Sequence, residues 1–159
     1  VETYQVGVIG LAIFAMLAIF ALYSWRRRIF MQQMLIQKPV EVASSAVGLK
    51  CLYITTTFAD RPLERVVAHG MAHRGWAFLL VTESGLEVSR IGELSFLIPK
   101  ADLIKIGSVS AVIDRAVEKD GLVSIKWKLG SQDIESHFRF VDTKIRSSSL
   151  AQLSTLVGA

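Results

Sequence analysis

From Val6 to Tyr23 the chain carries no charged side chain, and Tyr23 alone in that stretch bears a strongly polar atom. Extended to Trp25, the run is 20 residues long. As a helix rising about 1.5 Å per residue it spans roughly 30 Å, the thickness of a bilayer's hydrocarbon core. A core helix of a soluble protein of this length would show a polar stripe, and none is present. A cleavable signal peptide would place basic residues before a shorter apolar run and a small-residue cleavage site after it. Here Val1-Glu2-Thr3-Tyr4-Gln5 contains no basic residue, Arg26, Arg27 and Arg28 follow the run directly, and no cleavage pattern follows Leu22. The pattern predicts a membrane anchor over Val6–Trp25.

The same asymmetry sets its direction. Basic residues beside a membrane helix stay on the cytoplasmic side. Arg26–Arg28 and Lys38 lie after the run and Glu2 is the one charge before it. The expected arrangement is a single pass through the plasma (inner) membrane, with residues 1–5 outside and the remainder cytoplasmic. Tyr4 at one end, and Tyr23 and Trp25 at the other, suit the two interfaces. Arg26, Arg27, Arg28 and Lys38 are candidate contacts for anionic membrane lipid, at about 1 kcal/mol per basic residue. Ala12, Ala15, Ala18 and Ala21 form a slanted band of small residues that a second membrane helix could pack against.

Residues 26–47 read as a basic connector. Ile29–Lys38 keeps helix-forming composition, either continuing the membrane helix or lying as a short helix on the surface. Pro39 ends any helix. From residue 48 onward the charges are interleaved, with 14 basic and 12 acidic residues. A sequence pI near 9.4 therefore overstates the basicity of this part, which offers no clustered basic face for nucleic acid. The single cysteine, Cys51, excludes an intrachain disulfide and, within the apolar run Leu49–Ile54, reads as a small buried hydrophobe.

Residues 48–159 are dominated by a period of two. Val123, Ile125, Trp127 and Leu129 alternate with Ser124, Lys126 and Lys128, a half-buried strand. Ile134, Phe138 and Phe140 alternate with Glu135, His137 and Arg139. Gly130-Ser131-Gln132-Asp133 joins the two runs as a hairpin, and Asp120-Gly121 marks another turn. In Trp76–Val81 both alternating sets are apolar, which predicts a strand buried on both faces. Ser84-Gly85 turns the chain into Leu86–Arg90, and Phe96–Ile98 runs up to Pro99. Further strands are expected at Leu49–Thr56, Leu63–Ala68 and Ile104–Ala116, making seven or eight in all. After Asp142, a helix N-cap, Leu150, Leu153, Leu156 and Val157 share one helical face suited to plugging an open barrel end.

This order of elements resembles the pleckstrin-homology (PH)-like architecture: mainly β, a seven-stranded barrel or sandwich capped by a C-terminal helix. Gly48–Asp60, Arg74-Gly75, Phe96–Pro99, Gly121–Gly130 and Phe138-Arg139 resemble a family of actinobacterial single-pass membrane proteins. In that family a membrane helix and an arginine cluster precede a bacterial PH-like domain, and members are often labelled export or transport proteins. The resemblance implies a fold rather than a reaction.

Residues that would carry chemistry are sparse. His69 and His73 have the spacing of two zinc ligands, but Gly70 stands where a metalloprotease helix needs Glu. With His137 they make the three histidines of a conceivable hydrolase site, though all three read as surface or loop residues. No nucleophile elbow, P-loop or dinucleotide fingerprint is present. Lys50, Arg61 and Arg65 fall where PH domains gather phosphate-binding residues, but Asp60 and Glu64 offset them. The expectation is no enzyme and no cofactor, but a membrane-anchored interaction module with a protein partner. A lipid-sensing domain using the juxtamembrane arginines is the second reading.

Overall fold

A computed structural model describes residues 3–109, 111–112, 115–116 and 122–157. The first element, α1 (Thr3–Leu35), is one unbroken helix. It therefore continues past the apolar run and through the arginines, the first of the two expected possibilities. Its Tyr4–Leu35 stretch contains an 18-residue window of mean hydropathy 2.5, none of it buried against the rest of the chain.

The strands that follow are β1 (Val40–Glu41), β2 (Leu49–Phe58), β3 (Gly75–Thr82), β4 (Gly85–Arg90), β5 (Phe96–Pro99) and β6 (Leu103–Val109), then β7 (Ala111–Val112), β8 (Arg115–Ala116), β9 (Leu122–Leu129) and β10 (Gln132–Arg139). The last described element is α2 (Thr143–Val157). Eight strands form one antiparallel sheet in the order β1-β5-β4-β3-β2-β10-β9-β6, and β7 pairs with β8 separately. Laid flat, β5 and β9 would lie about 24 Å apart, five strand spacings. Yet Phe96 of β5 and Trp127 of β9 stack with ring centroids 5.8 Å apart. The sheet is therefore bent over on itself, enclosing a core of Tyr53, Leu79, Val88, Phe96, Ile125, Trp127 and Phe138. α2 packs against β6, burying Leu153 and Leu156, with Leu150 packed beside the core. The Lys144 N–H donates to Asp142 Oδ1 at 2.8 Å, the expected cap. The side chain of Val157 and the Asp120-Gly121 turn lie outside the described residues.

Two hairpins form where the turn residues suggest. β3 and β4 pair Thr82 with Gly85, and Gly85 adopts φ 147° with Ile98 O only 2.1 Å from where a Cβ would stand. Only glycine fits so close to β5. β9 and β10 pair Leu129 with Gln132 across Gly130-Ser131.

Three expectations are corrected. Leu63–Ala68 is not a strand: it makes a single bridge, Thr57 to Arg65, and leads into a 3-10 turn at Ala68–Gly70. β3 is buried on one face only. Ala77 and Leu79 are enclosed while Trp76 remains 44% exposed, its ring covered by Lys50 Nζ at 4.8 Å from the centroid. An apolar outward residue can be screened by a lysine stem without a second layer of protein. Ile104–Ala116 is not one continuous strand, since β7 and β8 within it pair antiparallel, Val112 with Arg115.

Within the core one polar chain has a single allowed direction. The Tyr53 hydroxyl donates to Met71 O at 2.6 Å. Its hydrogen so committed, Tyr53 must accept from Thr56 Oγ1 at 2.6 Å. Thr56 then accepts from Ser136 Oγ at 2.8 Å, and Ser136 accepts from Trp127 Nε1 at 3.1 Å. Every hydroxyl both donates and accepts, so four buried polar groups cross the barrel without an orphan.

Candidate functional site: the junction of the long helix and the β-domain

Arg28, Gln32 and Ile36 recur every fourth residue and so lie along one side of the helix and its last turn. Gln32 is 6% exposed and Ile36 just 1%. The Gln32 amide reads the backbone of the β2–β3 connection twice: Nε2 donates to Arg65 O at 3.2 Å, and Oε1 accepts the Val67 N–H at 2.7 Å. These are the groups a neighbouring strand would bond. A side-chain amide takes them instead, while the other edge of the segment bonds to β2, with the Val66 N–H donating to Thr56 O at 2.8 Å and the Phe58 N–H donating to Glu64 O at 3.1 Å.

One turn further, His69 Nε2 lies 3.0 Å from Ile36 O. A carbonyl only accepts, so Nε2 carries the proton. His69 reaches this position with φ 55°, the left-handed region. Arg90 supports the turn from beneath. It is 1% exposed, lies over the Tyr53 ring at 4.2 Å, and donates to Gly70 O at 3.2 Å and His73 O at 2.7 Å. Backbone carbonyls and an aromatic face hold this buried guanidinium, a use that suits Arg better than Lys. Gly130 of the β9–β10 turn closes the far side, 3.2 Å from Gln37 Cβ if it had a Cβ of its own. The end of α1 is thus built into the domain.

The expected site residues fall in different places. Arg26 and Arg27 are exposed on α1. Arg28 borders a cleft shared with Arg61, Pro62, Leu63 and Glu64. Lys38 lies beyond the helix end and pairs with Glu41 at 2.9 Å, apart from the arginines. Ala12, Ala15 and Ala21 are exposed on α1, and Ala18 is half-exposed. Lys50 covers Trp76, and Arg61 pairs with Asp60 at 3.4 Å and Glu64 at 2.7 Å.

The histidines are not assembled into a site. His69 bonds Ile36 O and His73 Nδ1 pairs with Glu93 at 2.9 Å. His137 corrects its expected surface position. It is 5% exposed, 3.2 Å from Thr57 Oγ1 through Nε2, with Nδ1 buried and unpartnered. Its neighbours Thr55, Thr57 and Ser124 are buried too, so the polar side of β10 is covered here. Burial lowers its pKa, and the Glu135 carboxylate only partly opposes this. Among the described residues no three His, Cys, Asp or Glu side chains are arranged to hold a metal. Cys51 is buried and its thiol is pushed up to about 12 by that burial.

Gln32, Ile36, His69 and Arg90 were not foreseen as a junction. The i, i+4 spacing of Gln32 and Ile36 was visible, but a connector glutamine gives no sign of which backbone it will read.

A profile of the bacterial PH domain-like family matches residues 32–154. The chain belongs to that family. Its fold is accordingly the expected one, a PH-like β-domain with a C-terminal helix, preceded by a long apolar helix. The match begins at Gln32, the residue whose amide clamps the β2–β3 connection, so the last turn of α1 lies within the matched PH-like segment. No curated protein and no solved structure matched the chain.

Proposed function

We propose that this chain is a membrane-anchored interaction module, an accessory or scaffold that presents its PH-like domain at a fixed position beneath the plasma membrane to a protein partner. The clamp of Gln32 on Arg65 and Val67 carries the proposal. A flexible tether would suit a domain that only needs confinement near the membrane. A helix end bonded into the domain suits one whose orientation to a neighbouring membrane protein matters. The apolar face of α1 supports anchorage, and Arg26–Arg28 support a cytoplasmic domain with the N-terminal end outside. The near-neutral domain gives little for lipid charge alone to hold, and no reaction is assigned to it. The alanine band of α1 supplies a close-packing surface for a partner's helix.

A lipid-sensing function is the second reading, favoured by the exposed Arg26–Arg28 run, whose Arg28 shares a cleft with Arg61. One comparison separates the two. The full chain, an Arg26/Arg27/Arg28→Gln variant and an Ala15→Leu/Ala18→Leu variant are purified from one native membrane preparation in mild detergent. A protein enriched with the wild type and lost with the alanine variant supports the interaction module. No enrichment with wild type, together with tight binding of the domain to anionic liposomes, contradicts it and favours lipid sensing.

A further inference from the structure

The β2–β3 connection leaves the sheet at Phe58, reaches nearest the apolar run at Arg61–Glu64, and returns along α1 away from that run. Arg65 and Val67 are bonded at the level of Gln32, and Arg61, Pro62, Leu63 and Glu64 share a cleft with Arg28, one turn nearer the apolar run. The loop tip is Leu63, 81% exposed. The charges around it balance, Asp60 and Glu64 against Arg61 and Arg65, and Arg61 pairs with both carboxylates and lies over the Phe58 ring at 4.5 Å. An unpaired leucine on an internally neutralised loop is costly to leave in water and costs little to place among lipid headgroups.

The helix sets its height. With the hydrocarbon boundary at Trp25, Arg28 lies about 4–5 Å beyond it at about 1.5 Å per residue. The headgroup layer on each side of the hydrocarbon is roughly 5–8 Å deep. Leu63, fixed beside Arg28, falls within that layer.

We infer that Pro62-Leu63 is a second membrane contact, seated among the lipid headgroups next to Arg28, so that helix and loop together fix the tilt of the PH-like domain against the bilayer. This rests on α1 being a membrane span. Gln32 joins the two contacts: it bonds the backbone just after Leu63 from the helix turn just below Arg28. A domain held at two points cannot tilt freely against the bilayer, so one side of it always faces away from the membrane, toward the cytoplasm.

The test uses the full chain reconstituted into vesicles of phosphatidylcholine with a minority of phosphatidylglycerol. An environment-sensitive fluorophore is attached at Leu63→Cys, at Phe14→Cys within the apolar run, or at Glu83→Cys. Glu83 is exposed in the β3–β4 turn, and the register of Leu49 with Leu79 places that turn beyond the opposite end of β2 from Phe58. The protein with Cys51 as its sole thiol is the labelling blank. Nitroxide lipids quench from the headgroup or from the acyl chain. The expected result is acyl-chain quenching at Phe14→Cys, and headgroup quenching at Leu63→Cys several-fold stronger than at Glu83→Cys, with a blue-shifted emission. Quenching at Phe14→Cys with Leu63→Cys no different from Glu83→Cys would overturn the second contact and leave the anchor standing. No quenching at Phe14→Cys would remove the anchor, and this inference with it.

Discussion

The Val67 N–H donates to Gln32 Oε1 at 2.7 Å, joining the long helix to the domain across 35 residues of sequence. Together with the bond from Nε2 to Arg65 O, it makes one side chain responsible for the geometry of the junction.

Gln32→Ala should remove the bonds to the Val67 N–H and the Arg65 carbonyl in a half-buried setting, at about 1–3 kcal/mol each at most. Gln32→Glu keeps the acceptor for Val67 but turns a carboxylate oxygen toward Arg65 O, and should be at least as damaging. Urea midpoints of the full chain in detergent check this. Midpoints equal to wild type for both variants would mean that the clamp carries no stability.

Trp127→Ala should cost about 3–5 kcal/mol, since the ring is enclosed and stacked on Phe96. Ser136→Ala and Thr56→Val each break the directed hydroxyl chain. Residues within one network are not additive, so the double variant should lose clearly less than the two single losses together. Strict additivity in a double-mutant cycle would mean that the groups act independently.

How much of this was legible follows from where each signal sits. The β9–β10 hairpin was readable because alternation and Gly130-Ser131 act within a few residues of each other. The apolar run and Asp142 are equally local. The clamp on the Leu63–Ala68 turn was not readable, because Gln32 and the backbone groups it bonds lie 33 and 35 residues apart. His137 was misplaced for a related reason: alternation gives the side of a strand it occupies, but not that Thr55, Thr57 and Ser124 around it are covered. Arg90 shows the limit most clearly. Nothing near it in sequence marks it for burial, and only the fold brings Tyr53 and the carbonyls of Gly70 and His73 around it.

His137 should make stability fall with acid. Its pKa is lowered in the folded protein by burial, so the unfolded chain binds the extra proton more readily, and stability drops as pH falls through the unfolded histidine value near ~6.5. Above that range the ring is neutral in both states and contributes no slope. His137→Gln should flatten the change in urea midpoint between about pH 7.5 and pH 5.5. An unaltered slope would place its origin elsewhere.

The proposed membrane anchorage with a cytoplasmic domain rests on Arg26–Arg28 and the apolar helix, and it can be tested in intact cells. With Cys51 changed to Ser, single cysteines are placed at Thr3 or at Ser131 and exposed to a membrane-impermeant thiol reagent. Thr3→Cys should label in sealed cells, and Ser131→Cys should label only after lysis. Labelling of Ser131→Cys in sealed cells, with Thr3→Cys protected, would put the PH-like domain on the other side of the membrane and contradict a cytoplasmic interaction module.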